Sequence, residues 1–366
     1  MSPENSFVAD GQALKYKNIL IVRTDRIGDV VLTLPLVRVL RREYPLARIS
    51  FLIRTYTKDV VEGQAGVDGI VLYDDGEAPK HFRTLLSELR RSKFDLALVA
   101  FPRFRVALLL WLSGVRTRVG SGYRWYSFLF NKRVYEHRKT AEKHEFEYNH
   151  SLIRSLGCRA SSDDRPRITL SPESIRAADF ERKRLHISDK EIVAILHPGS
   201  GGSARDWSGA NFGLLARELS TLGWTIVVSG ARGEETLVHQ VVEGSGGIAR
   251  PSVAILSLKE LAAFIKAADL FVSNSTGPLH IAAAVETPVI GFYPPITACS
   301  PRRWGPVTDQ KAVFVPERNR CELCHGGPCR GSVCMEQIKV QDVVNAAKRL
   351  VKKRKSKRPS KFSVAL

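Results

Sequence analysis

The chain has 366 residues, 44% of them hydrophobic and 25% charged, proportions near globular averages that exclude a disordered or collagen-like polymer. Its 56 Lys and Arg against 37 Asp and Glu leave a net charge of +19, so an anionic partner is expected. No apolar run nears the ~18 residues of a bilayer span; the longest, Val106–Leu112, is far shorter.

The first residues, MSPENSFVADGQALKYK, hold neither an apolar core segment nor a small-residue cleavage site, so a cytoplasmic protein is expected. Asn18–Arg23 (NILIVR) has the length and composition of a buried strand, and the polar turn Thr24–Asp29 follows it. A helical stretch comes next, with Pro35 near its start and Leu36, Val37 and Leu40 on one face. Ile49–Ile53 and Asp95–Phe101 read as further strands. From Ser171 the helical pattern SPESIRAADFERKRL leads into a second series, with strands at Ile192–Leu196, Thr225–Ser229, Leu270–Ser273 and Val289–Tyr293. The helix that begins after Ser257 has the capping-box pair Ser257 and Glu260. Strands that alternate with helices imply parallel sheets covered on both faces. The expectation is an α/β protein of two Rossmann-like domains facing across a cleft: residues 1–165, a linker 166–190, residues 191–347 and a basic tail 348–366. Ligands would sit at the carboxyl ends of both sheets.

The positive charge is concentrated in two places. Nine Lys or Arg fall between Lys348 and Lys361 without an acid among them. Between Phe101 and Tyr135 stand Arg103, Arg105, Arg116, Arg118, Arg124, Lys132 and Arg133, together with nine aromatics and no carboxylate. Phosphates and bases of a nucleic acid, an anionic membrane surface, and a merely solvated face with a disordered tail all fit such patches.

Three turns carry the chemistry. In Thr24–Asp29, Gly28 lets backbone approach a ligand, and Asp29 is either a general base for a hydroxyl or a helix N-cap. The run His197–Ser203 leaves a strand end rich in Gly and Ser. Gly199, Ser200 and Gly201 offer N–H groups and a hydroxyl to an anion, with Arg205 close behind, unless the run is only a flexible connection. The third turn, Ser273–His280, places Pro278 in the first turn of a helix whose N-terminus suits a diphosphate. Neither a G-x-G-x-x-G fingerprint in the first half nor a Walker motif occurs, which disfavours dinucleotide binding there and ATP hydrolysis. A basic nucleic-acid-binding protein would not explain why Gly/Ser-rich turns recur at strand ends, so no nucleic-acid partner is expected.

Taken together, KNILIVRTDRIGDVVLTLPLVRVLRREYP, GVRTRVG, ILHPGSG with RDW, SGARGEE and NSTGPLHIAAAVETPVIGFYPP resemble the heptosyltransferases of glycosyltransferase family 9, over about residues 17–345. The resemblance implies a GT-B fold, an ADP-sugar donor held mainly by the C-terminal domain, and inverting transfer to the lipopolysaccharide inner core with no required cofactor or metal. It also implies that Asp29 is the base, that Arg205 stands where the family has a phosphate-neutralising lysine, and that Glu234 contacts the nucleoside. Ser275, Thr276, Gly277 and His280 match the donor-binding turn, although Ser275 replaces an aspartate that touches the donor sugar, which leaves the sugar open.

An inner-core acceptor is a phosphorylated, lipid-anchored glycan. The basic-aromatic stretch is accordingly expected to be the acceptor surface, with Arg103, Arg105, Arg118 and Arg124 on phosphates or carboxylates and the aromatics on sugar faces or lipid. The tail would add peripheral attachment to the inner leaflet. Cys321, Cys324, Cys329 and Cys334 have a spacing that could close a structural zinc site, or else remain reduced or conditionally paired thiols. Cys158 and Cys299 read as buried small hydrophobes.

Overall fold

The computed structural model of the chain describes residues 15–161, 163–202, 205–317 and 334–357. Two compact units meet in sequence between Thr169 and Leu170. Unit 1 runs β1 Asn18–Val22, α1 Ile27–Val31, α2 Pro35–Glu43, β2 Arg48–Ile53, α3 Lys58–Val61 and β3 Gly69–Leu72. It continues with α4 Phe82–Ser92, β4 Leu96–Val99, α5 Phe104–Leu112, β5 Thr117–Ser121, β6 Lys132–Val134 and α6 Glu145–Arg154. Unit 2 runs α7 Pro172–Arg184, β7 Val193–His197, α8 Gly209–Ser220, β8 Thr225–Gly230, α9 Glu235–Gly244 and β9 Arg250–Val253. It ends with α10 Leu258–Ala267, β10 Leu270–Asn274, α11 Gly277–Ala284, β11 Val289–Phe292, α12 Pro301–Trp304, β12 Lys311–Phe314 and α13 Val340–Lys357.

Each unit contains one six-stranded sheet. The order is β3-β2-β1-β4-β5-β6 in the first and β9-β8-β7-β10-β11-β12 in the second, which is the same path taken twice. All pairings between these strands are parallel. The central strands are apolar on both faces, as helices above and below require: every residue of Ile19–Val22 and Val193–His197 is buried. Register places Ile19 beside Ile49 and Leu96, and Leu196 beside Val228 and Val272. The strand order reverses between β1 and β4 and again between β7 and β10. At such a switch point consecutive connections leave to opposite faces and open a crevice at the carboxyl ends of the strands. The turns after β1, β7 and β10 are those the sequence singles out.

All seven strands expected from sequence are present within a residue or two. The five others, β3, β5, β6, β9 and β12, are short. Four of them carry a Lys or Arg and most of their residues are only half-buried, so no long apolar run marks those four; β3, GIVL, is apolar but only four residues long. The capping box of α10 is formed, Ser257 Oγ accepting from Glu260 N–H and Glu260 accepting from Ser257 N–H. The expected linker 166–190 instead holds α7, capped by Ser171, which packs on α10. Glu181 of α7, 1% exposed, accepts from Ser252 Oγ at 2.6 Å, so the helix is part of unit 2. The expected tail is also shorter than its charge suggests. Residues 348–357 complete α13, where Leu350 and Val351 join the unit 2 core and Arg354 is buried with a hydrogen bond to the Lys266 carbonyl. No helix among the described residues is long and apolar enough to cross a membrane.

Ending the chain at residue 349 should therefore lower the melting temperature by several degrees, because two apolar side chains leave a packed core. Ending it at 357 should not, and calorimetry on the two truncations checks the difference.

Candidate active site

In unit 1 the site is built on a buried cation. Arg23, the residue after β1, is 1% exposed. Its Nε donates to Asp25 at 2.8 Å, Nη1 donates to Glu145 Oε1 at 3.1 Å and to Asn149 Oδ1 at 3.2 Å, and Nη2 donates to Asp29 Oδ1. Burial alone would depress the guanidinium pKa, but Asp25, Asp29 and Glu145 outweigh it and hold the group firmly charged. Glu145 opens α6, where the His144–Glu147 capping box fixes the first turn, and it also accepts from Arg138 at 2.5 Å. Asn149 donates in turn to the Leu32 carbonyl and to Thr33 Oγ1, whose hydroxyl donates to the Asp29 carbonyl at 2.7 Å. Asp29 is thus held through its carboxylate and its backbone, with 13% of the side chain exposed. It lies in the first turn of α1, but the N-cap is Arg26 and no side-chain cap forms. Asp25 is pushed up to about 7 by burial, against the pull of Arg23 and with the neighbouring Asp29 adding to the rise. A carboxylate raised to about 7 is a group that can exchange a proton near neutrality, and Asp25 lies beside Asp29 on the same guanidinium.

In unit 2 three loops converge at the carboxyl ends of β7, β8 and β10. Asn274, fully buried at the end of β10, donates to the Pro198 carbonyl at 2.7 Å and accepts from Trp207 N–H at 2.8 Å. One amide therefore clamps both ends of the loop after β7. Trp207 anchors the far end, 1% exposed, with Nε1 donating to the Ile338 carbonyl. Within the loop, Gly201 and Gly202 take φ of +56° and +70°, a conformation that favours glycine. Ser200 donates to Asp206 at 3.0 Å. Burial raises Asp206 to about 6, opposed by the Ser200 hydroxyl and reinforced by Glu234. Glu234, just before α9, accepts from Ala231 N–H at 2.8 Å, and its carboxylate fills the space where a Cβ on Gly199 would stand. Beneath it His197 is buried, with Nδ1 3.0 Å from Ser229 Oγ and Nε2 3.9 Å from Glu234; burial lowers its pKa and favours the neutral ring. After β10, α11 begins with Thr276 as N-cap, no side-chain cap, no acid in its first turn, and Pro278. That leaves backbone N–H groups and the helix dipole for an anion.

A family model described as glycosyltransferase family 9 (heptosyltransferase) matches residues 82–332, well over half of the chain. The chain belongs to this family. It is similar to lipopolysaccharide heptosyltransferase 3 of Escherichia coli, 25% identical over 279 residues that cover 73% of this chain and 80% of that one. Among solved structures it is similar to a family 9 glycosyl transferase from Veillonella parvula, with TM-score 0.80 and 22% identity over 93% of this chain and 99% of the other. It is also similar to ADP-heptose lps heptosyltransferase II of E. coli, with TM-score 0.75 and 21% identity over 92% of this chain and 99% of the other. These two likenesses establish the shared α/β fold of two Rossmann-like units, and family membership makes the chain a glycosyltransferase.

For this family 9 enzyme the structure gathers Gly199, Ser200, Gly201 and Glu234 around one loop cluster. Ser275, Thr276 and Gly277 follow Asn274, which is tied to that loop. His280 is buried in α11, and Gly28 is buried in α1 beside Asp29. Arg205 is half-buried on the loop after β7. Two of the four expected acceptor arginines require correction. Arg118 donates to the Leu129 carbonyl at 2.7 Å and to the Val115 carbonyl, and Arg105 donates to the Lys80 carbonyl and lies over the Tyr73 ring; both guanidiniums hold their own unit together. Arg103 and Arg124 are exposed. Cys321, Cys324 and Cys329 lie outside the described residues, whereas Cys334 is packed in the apolar core of unit 2. Cys158 is buried, but Cys299 is only half-buried, on a short turn rather than in a core. The sequence reading passed over Arg23, Asp25, Glu145, Asp206 and Asn274. Arg23 ended the expected strand and Asp25 stood in the turn after it, but only tertiary contact brings Glu145 and Asn149 to them.

Asp25 supplies a pH test. Its folded value, about 7, lies above the ~4 of an unfolded chain, so its stabilising contribution is complete below pH ~4 and is lost as pH rises through about 7. Asp25→Asn should flatten the fall in melting temperature across that window, as read by calorimetry. Gly199→Ala should displace the Glu234 carboxylate, break its hydrogen bond from Ala231 N–H and lower the melting temperature, as read by calorimetry, with little change in fold.

Proposed function

We propose that the chain is an inverting, metal-independent heptosyltransferase that moves heptose from an ADP-heptose donor to a hydroxyl of the lipopolysaccharide inner core. The observation that carries the reading is the Asp29 carboxylate, held by a buried arginine at the carboxyl end of β1 and still partly open to solvent. The E. coli relative is named for lipopolysaccharide and the second solved neighbour for ADP-heptose, which supports the choice of acceptor and donor.

In this reading unit 1 handles the acceptor and unit 2 the donor. Asp29 takes the proton of the acceptor hydroxyl, and the freed oxygen lone pair forms the new bond to the anomeric carbon. The bond from that carbon to the diphosphate oxygen breaks, and its electrons leave with ADP. Attack from the side opposite the leaving group inverts the anomeric centre. The charge that develops on the diphosphate is met by Arg205, by N–H groups of the Gly199–Gly201 loop and by the N-terminus of α11. These groups support a role that a divalent cation would otherwise fill. Glu234, beside Gly199, suits the ribose hydroxyls of the nucleoside. Ser275 stands at the sugar end of the donor, so a screen of ADP-, UDP- and GDP-sugars tests which sugar is used. Arg103 and Arg124 are the arginines available for acceptor phosphates, at the cytoplasmic face of the inner membrane where a lipid-linked core would be met.

Asp29→Ala should reduce kcat at least a thousandfold with nucleotide affinity within a few-fold of wild type, and near-normal turnover would remove Asp29 from the role of base. Arg205→Ala should raise KM for the donor or lower kcat by tenfold or more in the same steady-state assay.

A further inference from the structure

The fold of unit 1 leaves a set of large apolar side chains uncovered. Trp125 is 73% exposed, Phe128 64% and Trp111 52%. Their arrangement follows from α5, whose sequence FRVALLLWL is apolar nearly all round. Val106, Ala107, Leu109 and Leu110 face the core and are buried. Phe104, Leu108 and Trp111, at spacings of four and three, share the opposite face, with Phe104 and Trp111 exposed and Leu108 half-buried. Trp125 stacks on Phe104 with ring centroids 4.8 Å apart, and so widens this strip. A helix that is apolar nearly all round is normally covered by a second apolar phase; within unit 1 Leu108 packs against the core, while Phe104 and Trp111 stay exposed.

The stretch of chain that carries the strip is cationic. Arg103, Arg116, Arg124 and Lys132 are exposed, and no Asp or Glu occurs between Phe101 and Tyr135. The stretch is also poor in the groups that recognise sugars. Asn131 is the one side-chain amide of this stretch, and it is occupied by the Arg116 carbonyl and the Arg118 N–H. Carbohydrate sites combine an aromatic face with carboxylates and amides that bind hydroxyls. Here the aromatics come with cations and with the hydroxyls of Tyr123 and Tyr135, and without a carboxylate. Tryptophan flanked by arginine and lysine is the combination that settles at a bilayer interface, the ring among the upper acyl chains and the cation among the phosphates.

We propose that this face of unit 1 docks on an anionic lipid bilayer, with Trp111, Trp125 and Phe128 entering the headgroup boundary and Arg103, Arg116, Arg124 and Lys132 meeting lipid phosphates. The proposal rests on the transferase reading only for its purpose, which is to bring the enzyme to a lipid-linked acceptor. It moves the membrane contact from the C-terminal residues to α5 and the turn after β5.

The test is sedimentation of the full chain with vesicles of phosphatidylglycerol and phosphatidylcholine, beside vesicles of phosphatidylcholine alone. Binding to the anionic vesicles should be at least tenfold tighter, and acyl-chain bromines should quench part of the tryptophan fluorescence. The double variant Trp125→Ser, Phe128→Ser should bind at least tenfold more weakly, with its melting temperature and its kinetics on a lipid-free acceptor oligosaccharide unchanged. A chain ending at Lys357 should bind as wild type does. Wild-type vesicle affinity in the double variant would overturn the proposal. A raised KM for the oligosaccharide with vesicle binding intact would overturn it in favour of a sugar subsite, and RNA that binds with equal affinity at the same residues would overturn it in favour of a nucleic acid. Loss of all vesicle binding in the shortened chain would return the contact to the C-terminal residues. The vesicle assay contains neither donor nor acceptor, so failure of the transferase reading would leave its result standing.

Discussion

A guanidinium taken out of water must be met on all sides by acceptors, because its desolvation costs several kcal/mol that packing alone cannot return. Arg23 is such a group, and the arrangement of unit 1 around the end of β1 follows from it. Its partners come from three separated stretches: Asp25 in the turn, Asp29 in α1, and Glu145 with Asn149 in α6. Removing the cation would leave three carboxylates crowded together, a loss of about 3–5 kcal/mol for a buried pair broken from one side. The position of Asp29 is therefore coupled to the docking of α6, a helix more than a hundred residues later in the chain. The same burial raises Asp25, which keeps its proton more readily than an exposed carboxyl does.

Unit 2 solves the corresponding problem without a buried ion. Its strands follow the same order as those of unit 1, and its switch point between β7 and β10 is bridged by the neutral amide of Asn274. The difference suits the role proposed for each unit. A base needs a carboxylate whose ionisation is controlled, and that calls for a neighbouring charge. A cradle for an anionic diphosphate needs N–H groups held in place, and a fixed cation buried beneath them is not required. Asp206 and Glu234 stand close to that cradle, and burial keeps Asp206 partly protonated near pH 6, which limits negative charge beside the loop.

How much of this was legible beforehand depends on the range of the interaction. NILIV and VAILH announce themselves because strands buried on both faces must be continuously apolar. The β5 segment TRVGS and the β9 segment RPSV do not, since partial burial permits Arg, Gly or Pro and erases the period. The turns that carry Ser200 and Thr276 were visible as Gly/Ser-rich breaks after strands, and the one that carries Asp29 as a polar break. The role of Arg118 was misread because charge in a sequence does not reveal whether a guanidinium faces solvent or a carbonyl. The reach of the basic tail was misread for a related reason. Leu350 and Val351 are two apolar residues among many cations, and only the packing of α13 shows that they belong to the core.

By itself the sequence determined what local forces decide: the alternation of strand and helix, the parallel layers, the glycines where backbone must turn, and the residue types gathered at the strand ends. Tertiary structure alone decided which of those residues meet. The Arg23–Glu145 pair, the Asn274 clamp and the exposure of Trp125 beside a buried Tyr126 all depend on contacts between distant segments or on which side of a turn faces the core. Neither hydrophobic period nor spacing encodes such contacts, because they are properties of how finished elements pack.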